Sequence, residues 1–557
     1  MPFLPINLAE LKARNISQLD VILITGDAYI DHPAFGVPLL GRVLEAAGFS
    51  VGIIAQPDWH KDEDFLALGR PRLFFGISSG NMDSMVNHYT AQRKRRNNDA
   101  YSPSGEIGKR PDRAVMIYTN IVRKLFKGVP VIIGGIEASL RRIAHYDFWQ
   151  DKIRNSILID SKADLLIYGM AEKPIIQVAQ ALAEGQDIKE ICDLLATVCF
   201  VKEAGAPLLP DAESSKDKNT FRTMNISFYQ NYQTQIIYQK GGGRIIRHNP
   251  PAEALSEKEM DEIYRLPFMR APHPIYAGKP IPAWAQIQQS ITSHRGCYGG
   301  CNFCAIAVHQ GRKIQSRSMN SILHEAKQLK GVISDVGGPS ANMYQSGCKL
   351  DYPDSCRRRS CIYPNICPNL YLGLDVQIRL LDAIAALPEI KHVFVASGIR
   401  HDLALMDRKY ISTIAQSYTS GRLKIAPEHS SADVLALMGK PDIKIFEAFL
   451  EVFFAELSKT KIKRQIIPYL IIGHPGTTEK DAYQLRDWLW AHKIKVEQVQ
   501  EFTPTPMTIS TCMYYTGLDF DTGKPIHIPS PSEIRKQKEL IVKKTTSYKN
   551  IKKRGYP

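Results

Sequence analysis

Three cysteines stand within eight residues, in the run Cys297-Tyr298-Gly299-Gly300-Cys301-Asn302-Phe303-Cys304. Three residues separate the first pair and two separate the second, so one tight loop can direct all three sulfurs at one centre. Three thiolates can each bind one iron of a 4Fe–4S cluster, which usually takes four cysteines. The fourth iron would then be open to another ligand. Glycines suit such a loop because they lack side chains that collide at a sharp bend.

Two plainer interpretations of the same cysteines stay open at this point. The loop could be a zinc knuckle, because His294 and His309 flank it and zinc takes four Cys or His ligands. The thiols could also be ordinary core residues, since free cysteine is among the most buried residue types. Short motifs match by chance, so the elements around the loop must decide.

The C-x3-C-x2-C spacing, with aromatic Phe303 before the third cysteine, resembles the signature of the radical S-adenosylmethionine (SAM) superfamily. This resemblance implies that Cys297, Cys301 and Cys304 hold a 4Fe–4S cluster whose open iron binds the methionine part of SAM. It also implies that an electron from the cluster cleaves SAM to a 5′-deoxyadenosyl radical. A flavodoxin-like or ferredoxin-like reductant would supply that electron. The protein would position both cofactors and exclude water.

A strand–helix rhythm begins at residue 284 and carries the cysteine loop after its first strand. The predicted strands span residues 285–292, 331–336, 392–397, 422–426, 466–472 and 496–502. Amphipathic segments between them predict helices. Six such units match the partial (β/α)6 barrel that the resemblance implies. Parallel barrels place their chemistry at the carboxyl ends of the strands, and every candidate motif in this half lies at such an end.

Residues at these strand ends are the expected SAM contacts. The set is Phe303, Gly337, Gly338, Ser397, Arg400, Glu428 and Pro475. Gly337-Gly338 follow the second strand, where the family has glycines whose backbone oxygens receive the amino group of SAM. After the third strand, Ser397 could bond a ribose hydroxyl and Arg400 could form a bidentate pair with the methionine carboxylate.

The fourth and fifth strands supply the remaining candidates. Glu428 is positioned for the ribose or the amino group, and Pro475 lies in a turn that resembles the family's G-x-P-G segment beside the adenine. Phe303 would form an apolar wall next to the last cysteine. Each of these motifs also has an interpretation as turn chemistry or as a helix cap, as for Thr477 or Thr478 before Glu479.

Residues 1–200 predict a doubly wound α/β domain ahead of the barrel. Apolar strands are expected at 19–27, 51–55, 72–78, 131–135 and 163–169, with helices such as 39–47 and 113–126 between them. This alternation is typical of a parallel sheet. Such sheets bind ligands at the carboxyl ends of their strands. Those ends carry Asp27, Ser78, Gly134-Gly135-Ile136-Glu137 and Gly169.

This domain resembles the cobalamin-binding-like domain that precedes the barrel in many radical SAM proteins. Gly134-Gly135 and Tyr168-Gly169-Met170-Ala171-Glu172 stand where such domains turn from strand to helix. The D-x-H-x-x-G signature that supplies a histidine to cobalt is absent, because the run Asp31-His32-Pro33-Ala34-Phe35-Gly36 is spaced differently. We therefore do not expect cobalamin, and interpret His32 as a loop residue. A pocket that helps to enclose the substrate is expected instead.

Gly and Pro clusters, which interrupt helices and strands, mark the boundaries in the rest of the chain. Helices are predicted at 174–184 and 188–198, and Gly and Pro clusters make 201–283 a connection rather than an independent core. The barrel is expected over 284–510, with an insertion at 339–373, and a basic carboxy-terminal tail over 511–557.

The insertion has its own cysteine group. Cys348, Cys356, Cys361 and Cys367 are separated by seven, four and five residues, which matches neither zinc ribbons nor ferredoxin runs. The group could hold zinc or a second iron–sulfur cluster, or it could be a lid with free thiols. The adjacent arginines at 357–359 favour an anionic substrate or partner, although they could equally be solvated.

Net charge and composition narrow the classes of function. The chain has 557 residues and a formal net charge of +15, and residues 531–557 alone hold nine Lys or Arg and two Glu. That segment and Arg93-Lys94-Arg95-Arg96 could bind nucleic acid, or could simply be solvated. No apolar stretch is long enough to cross a membrane, and the amino-terminal residues lack the basic flank and apolar run expected of a signal peptide. Clustered cysteines favour a reducing compartment, so the expected location is the cytoplasm.

Longer motifs extend the resemblance to the YgiQ-type radical SAM family. They are the runs 295–301, 335–344, 424–429 and 502–506, so the resemblance covers most of the chain. It implies a fold and a cofactor but no substrate. We predict a radical SAM enzyme that abstracts hydrogen from an unknown substrate. The alternatives are an RNA-associated protein with structural zinc, and a radical SAM enzyme that transfers methylthio or methyl groups to RNA.

Overall fold

The computed structural model describes residues 2–352 and 356–543. The chain forms two compact units, one of residues 1–288 with 308–311, and one of residues 289–307 with 312–557. The division differs from the expected one: 201–283 belong to the first unit, and the segment from 511 belongs to the second. The α/β class is confirmed, because both units combine helices with largely parallel strands.

The first unit is built on one nine-stranded sheet. In chain order the strands are β1 Val21–Thr25, β2 Val51–Ala55, β3 Phe74–Ser78, β4 Val131–Gly134, β5 Leu165–Ile167, β6 Thr197–Val201, β7 Leu208–Leu209, β8 Ile237–Gly241 and β9 Arg244–His248. Their spatial order is β7-β8-β9-β6-β5-β4-β3-β1-β2. The first five strands are parallel. Their 2-1-3-4-5 order is that of flavodoxin-like sheets, with the switch point between β1 and β3.

Two helical layers cover this sheet because its central strands are apolar on both faces. The helices are α1 Gly36–Ala46, α2 Ala114–Leu125, α3 Gly135–Ser139, α4 Glu172–Ala183 and α5 Lys218–Asn231. Ile22 and Ile24 pack in the core that contains Tyr118 of α2. Val21 and Leu23, which alternate with them, pack in a second core. Burial on both faces explains why the predicted strands read as continuous apolar runs.

The predicted helix at 188–198 is wrong. A single 3₁₀ turn at Ile188–Glu190 is followed by β6, which pairs antiparallel with β5. The β-branched and aromatic residues of β6 favour a strand. The expected connection also extends the sheet, since β8 and β9 form a hairpin. Gly242 and Gly243 have φ angles of 53° and 73°, which fits a type I′ turn.

The second unit contains the partial barrel. Its strands are β10 Ser290–Thr292, β11 Gly331–Ile333, β12 Asp335–Gly337, β13 Ile390–Val393, β14 Arg422–Glu428, β15 Gln465–Ile472 and β16 Gln500–Glu501. The parallel pairs are β10–β12, β11–β13, β14–β15 and β15–β16. A parallel bridge from Ile399 to Ile425 joins the third strand region to the fourth. The strands therefore follow one another in chain order, as predicted.

The second strand of the barrel is broken at Ser334. The Ser334 N–H donates to Gln289 O at 2.8 Å, so β12 pairs with β10 while β11 pairs with β13. The first strand is shorter than predicted because Pro282–Ile287 form a helix, with proline at a position where its missing N–H is tolerated.

Helices surround the barrel and bury the apolar core behind its strands. They are α6 Met319–Ala326, α7 Leu374–Ala385, α8 Arg408–Ser417, α9 Ala432–Met438, α10 Ile443–Ser458, α11 Glu479–Ala491, α12 Ile509–Thr516 and α13 Pro531–Lys538. Ile541 is fully buried against Leu470 and Leu485. The expected tail is thus folded as far as residue 543, and 544–557 lie outside the described residues. None of the described helices is long and apolar enough to span a membrane.

Candidate functional site

The three-cysteine loop follows β10 and the two-residue strand His294–Arg295, at the carboxyl end of the first barrel strand. Gly296 and Gly300 have φ angles of 87° and 60°, which side-chain-bearing residues rarely adopt. The Cys304 N–H donates to Cys301 O at 3.1 Å and closes a turn. The bends that the spacing requires are therefore made by glycine.

The tip of the loop is attached to two helices of the same unit. The Asn302 N–H donates to Met438 O at 2.9 Å, and Asn302 Nδ2 donates to Leu437 O at 2.9 Å, both at the end of α9. The Ser510 N–H, in α12, donates to Asn302 O at 2.9 Å. Asn302, which separates the second and third cysteines, therefore fixes the loop from both sides.

The three cysteines of this loop are half-buried. Burial, together with the neighbouring Cys301 thiol, raises the pKa of Cys297 to about 11. Burial likewise raises the pKa of Cys304 to about 12, again with Cys301 and Cys297 contributing. Metal binding deprotonates thiols, so a cluster bound here would hold Cys297 and Cys304 as thiolates despite their raised pKa values. The donor set therefore fits a 4Fe–4S cluster.

A buried ion pair stands beside the sulfurs. Arg400 Nη2 lies 2.6 Å from Asp402 Oδ2, and Arg400 Nε lies 3.0 Å from Asp402 Oδ1. Arg400 Nη1 lies 3.6 Å from Cys301 Sγ. Although burial opposes it, Arg400 holds the pKa of Asp402 well below its usual range. The bidentate edge expected to meet SAM is thus occupied by Asp402, which the sequence argument missed, and one nitrogen faces the cysteine loop.

The zinc interpretation finds little support in the flanking histidines. His294 Nδ1 lies 2.9 Å from Ser293 Oγ and Nε2 lies 3.1 Å from Ser340 O. His309 Nδ1 lies 3.0 Å from Ser139 Oγ. Across 2–352 and 356–543, no three His, Cys, Asp or Glu side chains are grouped as ligands of a single metal ion. A cluster makes a different demand, because each cysteine binds its own iron.

The two glycines after the second strand are required by close approach. A Cβ atom on Gly338 would lie 2.7 Å from Nε2 of His294. A Cβ on Gly337 would collide with the hydroxyl of Ser397, so the structure brings these two predicted residues together. Gly337 O accepts from the Ser293 N–H at 2.8 Å, which means that this carbonyl is already engaged within the protein.

Ser397 is held by an acidic residue that the sequence argument did not select. Asp335 Oδ1 accepts from the backbone N–H groups of Ala396 at 2.6 Å and Ser397 at 2.9 Å. It also accepts from Ser397 Oγ at 3.2 Å. Burial raises the pKa of Asp335. The signal in the sequence that could have identified this residue is a carboxylate at the start of an apolar strand segment.

Glu428 is buried with a φ angle of 72°. A left-handed, non-glycine residue of this kind stores strain and is found disproportionately at functional sites. Lys440 Nζ lies 3.6 Å from Glu428 Oε1 and donates to Ala426 O at 2.6 Å. Burial raises the pKa of Glu428 and the ammonium opposes that shift. Lys440 lies between α9 and α10, and its spacing from Glu428 in the sequence does not reveal that the two side chains pair.

Phe303 and Pro475 lie on the two sides of His474. The ring centroids of Phe303 and His474 are 6.3 Å apart. His474 Nδ1 donates to Pro475 O at 2.8 Å, and Nε2 accepts from Ser510 Oγ at 2.7 Å. His474 is fully buried and burial lowers its pKa to about 3, so it is neutral. It links the turn after β15 to α12.

The strand ends of the first unit carry buried charge. Arg110 Nη2 lies 2.8 Å from Asp27 Oδ1 and 3.5 Å from Asp99 Oδ2. Burial raises the pKa of Asp27 to about 6, against the opposing effect of Arg110. A Cβ on Gly135 would contact Ser78, so the ends of β3 and β4 meet as predicted.

The insertion places two of its four cysteines, Cys361 and Cys367, beside the three-cysteine loop. The Cys361 N–H donates to Tyr298 O at 3.0 Å, and the Cys367 N–H donates to Cys361 O at 2.8 Å. Arg312 Nη2 lies 3.6 Å from Cys361 Sγ. Cys348 sits in a two-residue strand paired with 370–371, and Cys356 is exposed. Metal binding by this group stays a prediction.

Comparisons with known proteins agree with this architecture. The family described as "Radical SAM N-terminal" matches residues 3–290, and "Radical SAM superfamily" matches residues 291–489. A "Domain of unknown function (DUF3362)" matches residues 497–544. Fold and site thus define a radical SAM enzyme.

Similar proteins give the family more narrowly. A UPF0313 protein of Geobacter sulfurreducens is 48% identical over 97% of this chain and 92% of that protein. A UPF0313 protein of Methanocella arvoryzae is 47% identical over 98% of this chain and 94% of that protein. The chain belongs to the UPF0313 family, which agrees with the YgiQ-type resemblance.

The fold is also that of a solved radical SAM methyltransferase. TsrM from Kitasatospora setae, with cobalamin and a 4Fe–4S cluster bound, matches with a TM-score of 0.51 and 15% identity, over 93% of this chain and 81% of that one. The expectation of no cobalamin is therefore wrong. It rested on one missing signature, whereas the whole two-part fold is shared with a protein that has cobalamin bound.

Proposed function

We propose that this protein holds a 4Fe–4S cluster on Cys297, Cys301 and Cys304 and uses it to cleave SAM for hydrogen abstraction from a substrate. The observation that carries the proposal is the set of three half-buried thiols on one glycine-bent loop at the carboxyl end of the first barrel strand, beside the guanidinium of Arg400. When bound and reduced, the cluster would supply the one electron that cleaves SAM to methionine and a 5′-deoxyadenosyl radical.

The residues of the chain have separable tasks in this proposal. Arg400, fixed by Asp402, directs a positive charge at the sulfur of Cys301. The loop's anchor at Asn302 keeps the three sulfurs in place. The apolar side of Phe303 excludes water from them, which strengthens every electrostatic interaction within the site.

We assign SAM to the strand ends that follow this loop. Gly337 and Gly338 allow close approach of the backbone, although Gly337 O is already engaged, so Gly338 is the better candidate. Ser397 is oriented by Asp335 and offers a hydroxyl to the ribose. Glu428, held near Lys440, is the acceptor for the amino group or ribose, and the turn at Pro475 is adjacent to Phe303 through His474.

The test is anaerobic reconstitution with iron and sulfide, followed by dithionite and SAM. We expect 5′-deoxyadenosine from the wild-type protein and none from Cys301→Ala. The matched control is Cys192→Ala, which removes a half-buried thiol from the first unit and should leave product formation unchanged. A protein with a full, reducible cluster that releases no 5′-deoxyadenosine would refute the proposal.

Methyl transfer with a corrinoid is a second candidate, supported by the fold shared with TsrM. The 2-1-3-4-5 sheet has its switch point at β1 and β3, where such sheets bind ligands. His32 would not serve as a lower ligand, because Nδ1 accepts from the Ala34 N–H at 3.1 Å and Nε2 lies 3.3 Å from Arg270 Nη1. Visible absorption spectra of the protein titrated with hydroxocobalamin test it, and an unchanged cobalamin spectrum would remove this candidate.

Metal analysis separates both candidates from an RNA-associated zinc protein. Iron and sulfide in equal amounts, with no zinc on the three-cysteine loop, are expected. Two partners are proposed. Nucleic acid would bind through the exposed loop at 93–96, and a flavodoxin-like or ferredoxin-like protein would be the reductant. Binding to RNA that weakens steeply with salt would identify the first of these partners.

A further inference from the structure

Two cysteines of the first unit lie outside the chemistry proposed above. Cys192 precedes β6 and is half-buried, and Cys199 lies within β6 and is buried. Both thiols are free, and both residues pack in the same apolar core. Among the residues that the structure describes, no third Cys, His, Asp or Glu joins them as a metal ligand. Their chemistry is therefore that of a thiol pair.

The two thiol groups face each other. Cys192 Sγ lies 3.5 Å from the backbone oxygen of Phe200, the residue after Cys199. Cys199 Sγ lies 3.8 Å from the backbone oxygen of Cys192. A side-chain hydrogen bond joins the two thiols directly. Disulfide formation requires two cysteines whose side chains point at each other, and this pair meets that requirement.

The backbone around each cysteine is held in place. Cys199 is paired with Leu165 of β5 on one side and with Arg247 of β9 on the other. The backbone oxygen of Cys192 accepts from Asn249 Nδ2 at 2.7 Å. Two groups that the fold holds in contact react as if each were present at very high concentration. A bond between the two sulfurs is therefore favoured over a bond to a thiol of another molecule.

The two thiols differ in their readiness to react. The hydrogen bond from Cys199 and the charge of Arg247 lower the pKa of Cys192, although burial and Asp193 oppose that shift. The same hydrogen bond and burial raise the pKa of Cys199. The thiolate is the nucleophilic form of cysteine. Cys192, which solvent also reaches more easily, is thus the attacking thiol, and Cys199 is the thiol that reacts second.

We propose that Cys192 and Cys199 form an oxidative modification site, which hydrogen peroxide converts to a disulfide. The Cys192 thiolate attacks one peroxide oxygen, the O–O bond breaks, and a sulfenic acid and hydroxide form. The sulfur of Cys199 then attacks the sulfur of Cys192, and the S–O bond breaks. The departing hydroxide leaves as water with the thiol proton of Cys199. The two sulfurs lose two electrons to the peroxide, and a dithiol reductant returns them by thiol–disulfide exchange.

Peptide mapping of the reconstituted, full-length protein tests the proposal. Trypsin cuts after Lys189 and Lys202, and the peptide between these sites contains Cys192 and Cys199 but no other cysteine. After brief treatment with hydrogen peroxide and alkylation in denaturant, this peptide should be two hydrogen atoms lighter and carry no alkyl group. Dithiothreitol added before the alkylation should restore two alkyl groups.

Two variants establish the order of the steps. Cys199→Ser should lose the disulfide and leave Cys192 as a sulfenic acid, which dimedone labels. Cys192→Ser should lose the disulfide and give no dimedone label on Cys199. Cys512→Ser is the matched control, because it removes a buried thiol of the second unit and should leave the yield of disulfide unchanged. Circular dichroism of each variant establishes that it is folded.

Three results would overturn the proposal. The first is a wild-type peptide that keeps two alkyl groups after peroxide treatment. The second is dimedone labelling of Cys192 that is equal in the wild type and in Cys199→Ser, because Cys199 would then take no part. The third is a disulfide from either cysteine to another thiol of the chain. None of these results bears on the formation of 5′-deoxyadenosine, which is measured anaerobically with the pair reduced.

Discussion

Buried arginine–aspartate pairs occur in both units but leave different groups unused. In the first unit, Arg42 and Asp31 are both fully buried, and Arg42 also contacts Glu45 at 2.8 Å and Pro2 O at 3.1 Å. Every guanidinium nitrogen of Arg42 therefore has a hydrogen-bond partner within the first unit. In the second unit, Arg400 binds Asp402 and turns Nη1 toward Cys301. The first pair serves structure, whereas the second leaves a charge available for chemistry.

The settings of the two pairs explain this difference. Asp31 lies in a short strand pair after β1, and its Oδ2 also accepts from the Met269 N–H at 3.0 Å. Asp402 lies in a helix that begins after the third barrel strand, where the loops converge on the cysteines. The same kind of arginine–aspartate pair is therefore structural or functional, depending on which group the remaining guanidinium nitrogen faces.

Removing the arginine from each pair should separate stability from activity. Arg400→Ala and Arg42→Ala each leave a buried carboxylate unpaired, which costs about 3–5 kcal/mol of unfolding free energy. We expect 5′-deoxyadenosine formation per folded molecule to be lost only in Arg400→Ala. Denaturant titration and single-turnover product assays measure the two effects.

The double variant Arg400→Met/Asp402→Leu sharpens this test. Replacing both charges by apolar groups often restores stability, so the double variant should be more stable than Arg400→Ala and still inactive. Recovery of product formation would mean that the pair contributes only to folding.

The pH dependence of stability should differ in sign between Asp27 and His474. The folded pKa of Asp27, about 6, lies above its ordinary 3.8, so the folded state binds the proton more tightly. Its contribution is present below pH 4 and is lost, by about 3 kcal/mol, as the pH rises to 6. His474, with a folded pKa of about 3 against 6.5, instead loses stability as the pH falls below 6.5.

Denaturant titrations of Asp27→Asn and His474→Gln between pH 4 and pH 7 measure these slopes. Each variant should remove one of them, and the wild-type profile should be the flatter sum of the two. Unchanged slopes in both variants would show that other groups control the pH response.

Glycine substitutions compare a crowded position with an open one. Gly338→Ala places a Cβ against the ring and the backbone oxygen of His294, and overpacking of this kind costs about 1–3 kcal/mol. Gly36, at the start of α1, has nothing within 4 Å, so Gly36→Ala should be neutral or slightly stabilising. Thermal unfolding measures both, and equal shifts would contradict the assigned crowding.

The smallest effect is expected in the insertion. Arg359 lies 2.6 Å from Asp521 with 38% and 62% of the two side chains exposed. Exposed pairs contribute about 0–1 kcal/mol, so Arg359→Gln should change stability by no more than that. A larger loss, insensitive to salt, would indicate that this arginine organises the insertion.

Much of the fold could be predicted because hydrophobic periodicity, and the Gly and Pro residues that end helices and strands, are local features of the sequence. Continuous apolar runs predicted the five parallel strands of the first unit, and the helix at 174–184 agrees with α4. The helix predicted at 188–198 was wrong, because β6 depends on a partner strand that spacing does not reveal. The charge of the basic segment at 531–543 predicts that it is solvated. One residue in it, Ile541, is nevertheless buried against β15.

The sequence by itself determined the three-thiol loop, its glycine bends and the strand–helix order, since each depends on residues close together in the chain. Only the tertiary structure decided that Arg400 is shared between Asp402 and Cys301, that Asp335 orients Ser397, and that Glu428 is strained beside Lys440. Those contacts join separate strand ends, and their geometry follows from barrel closure.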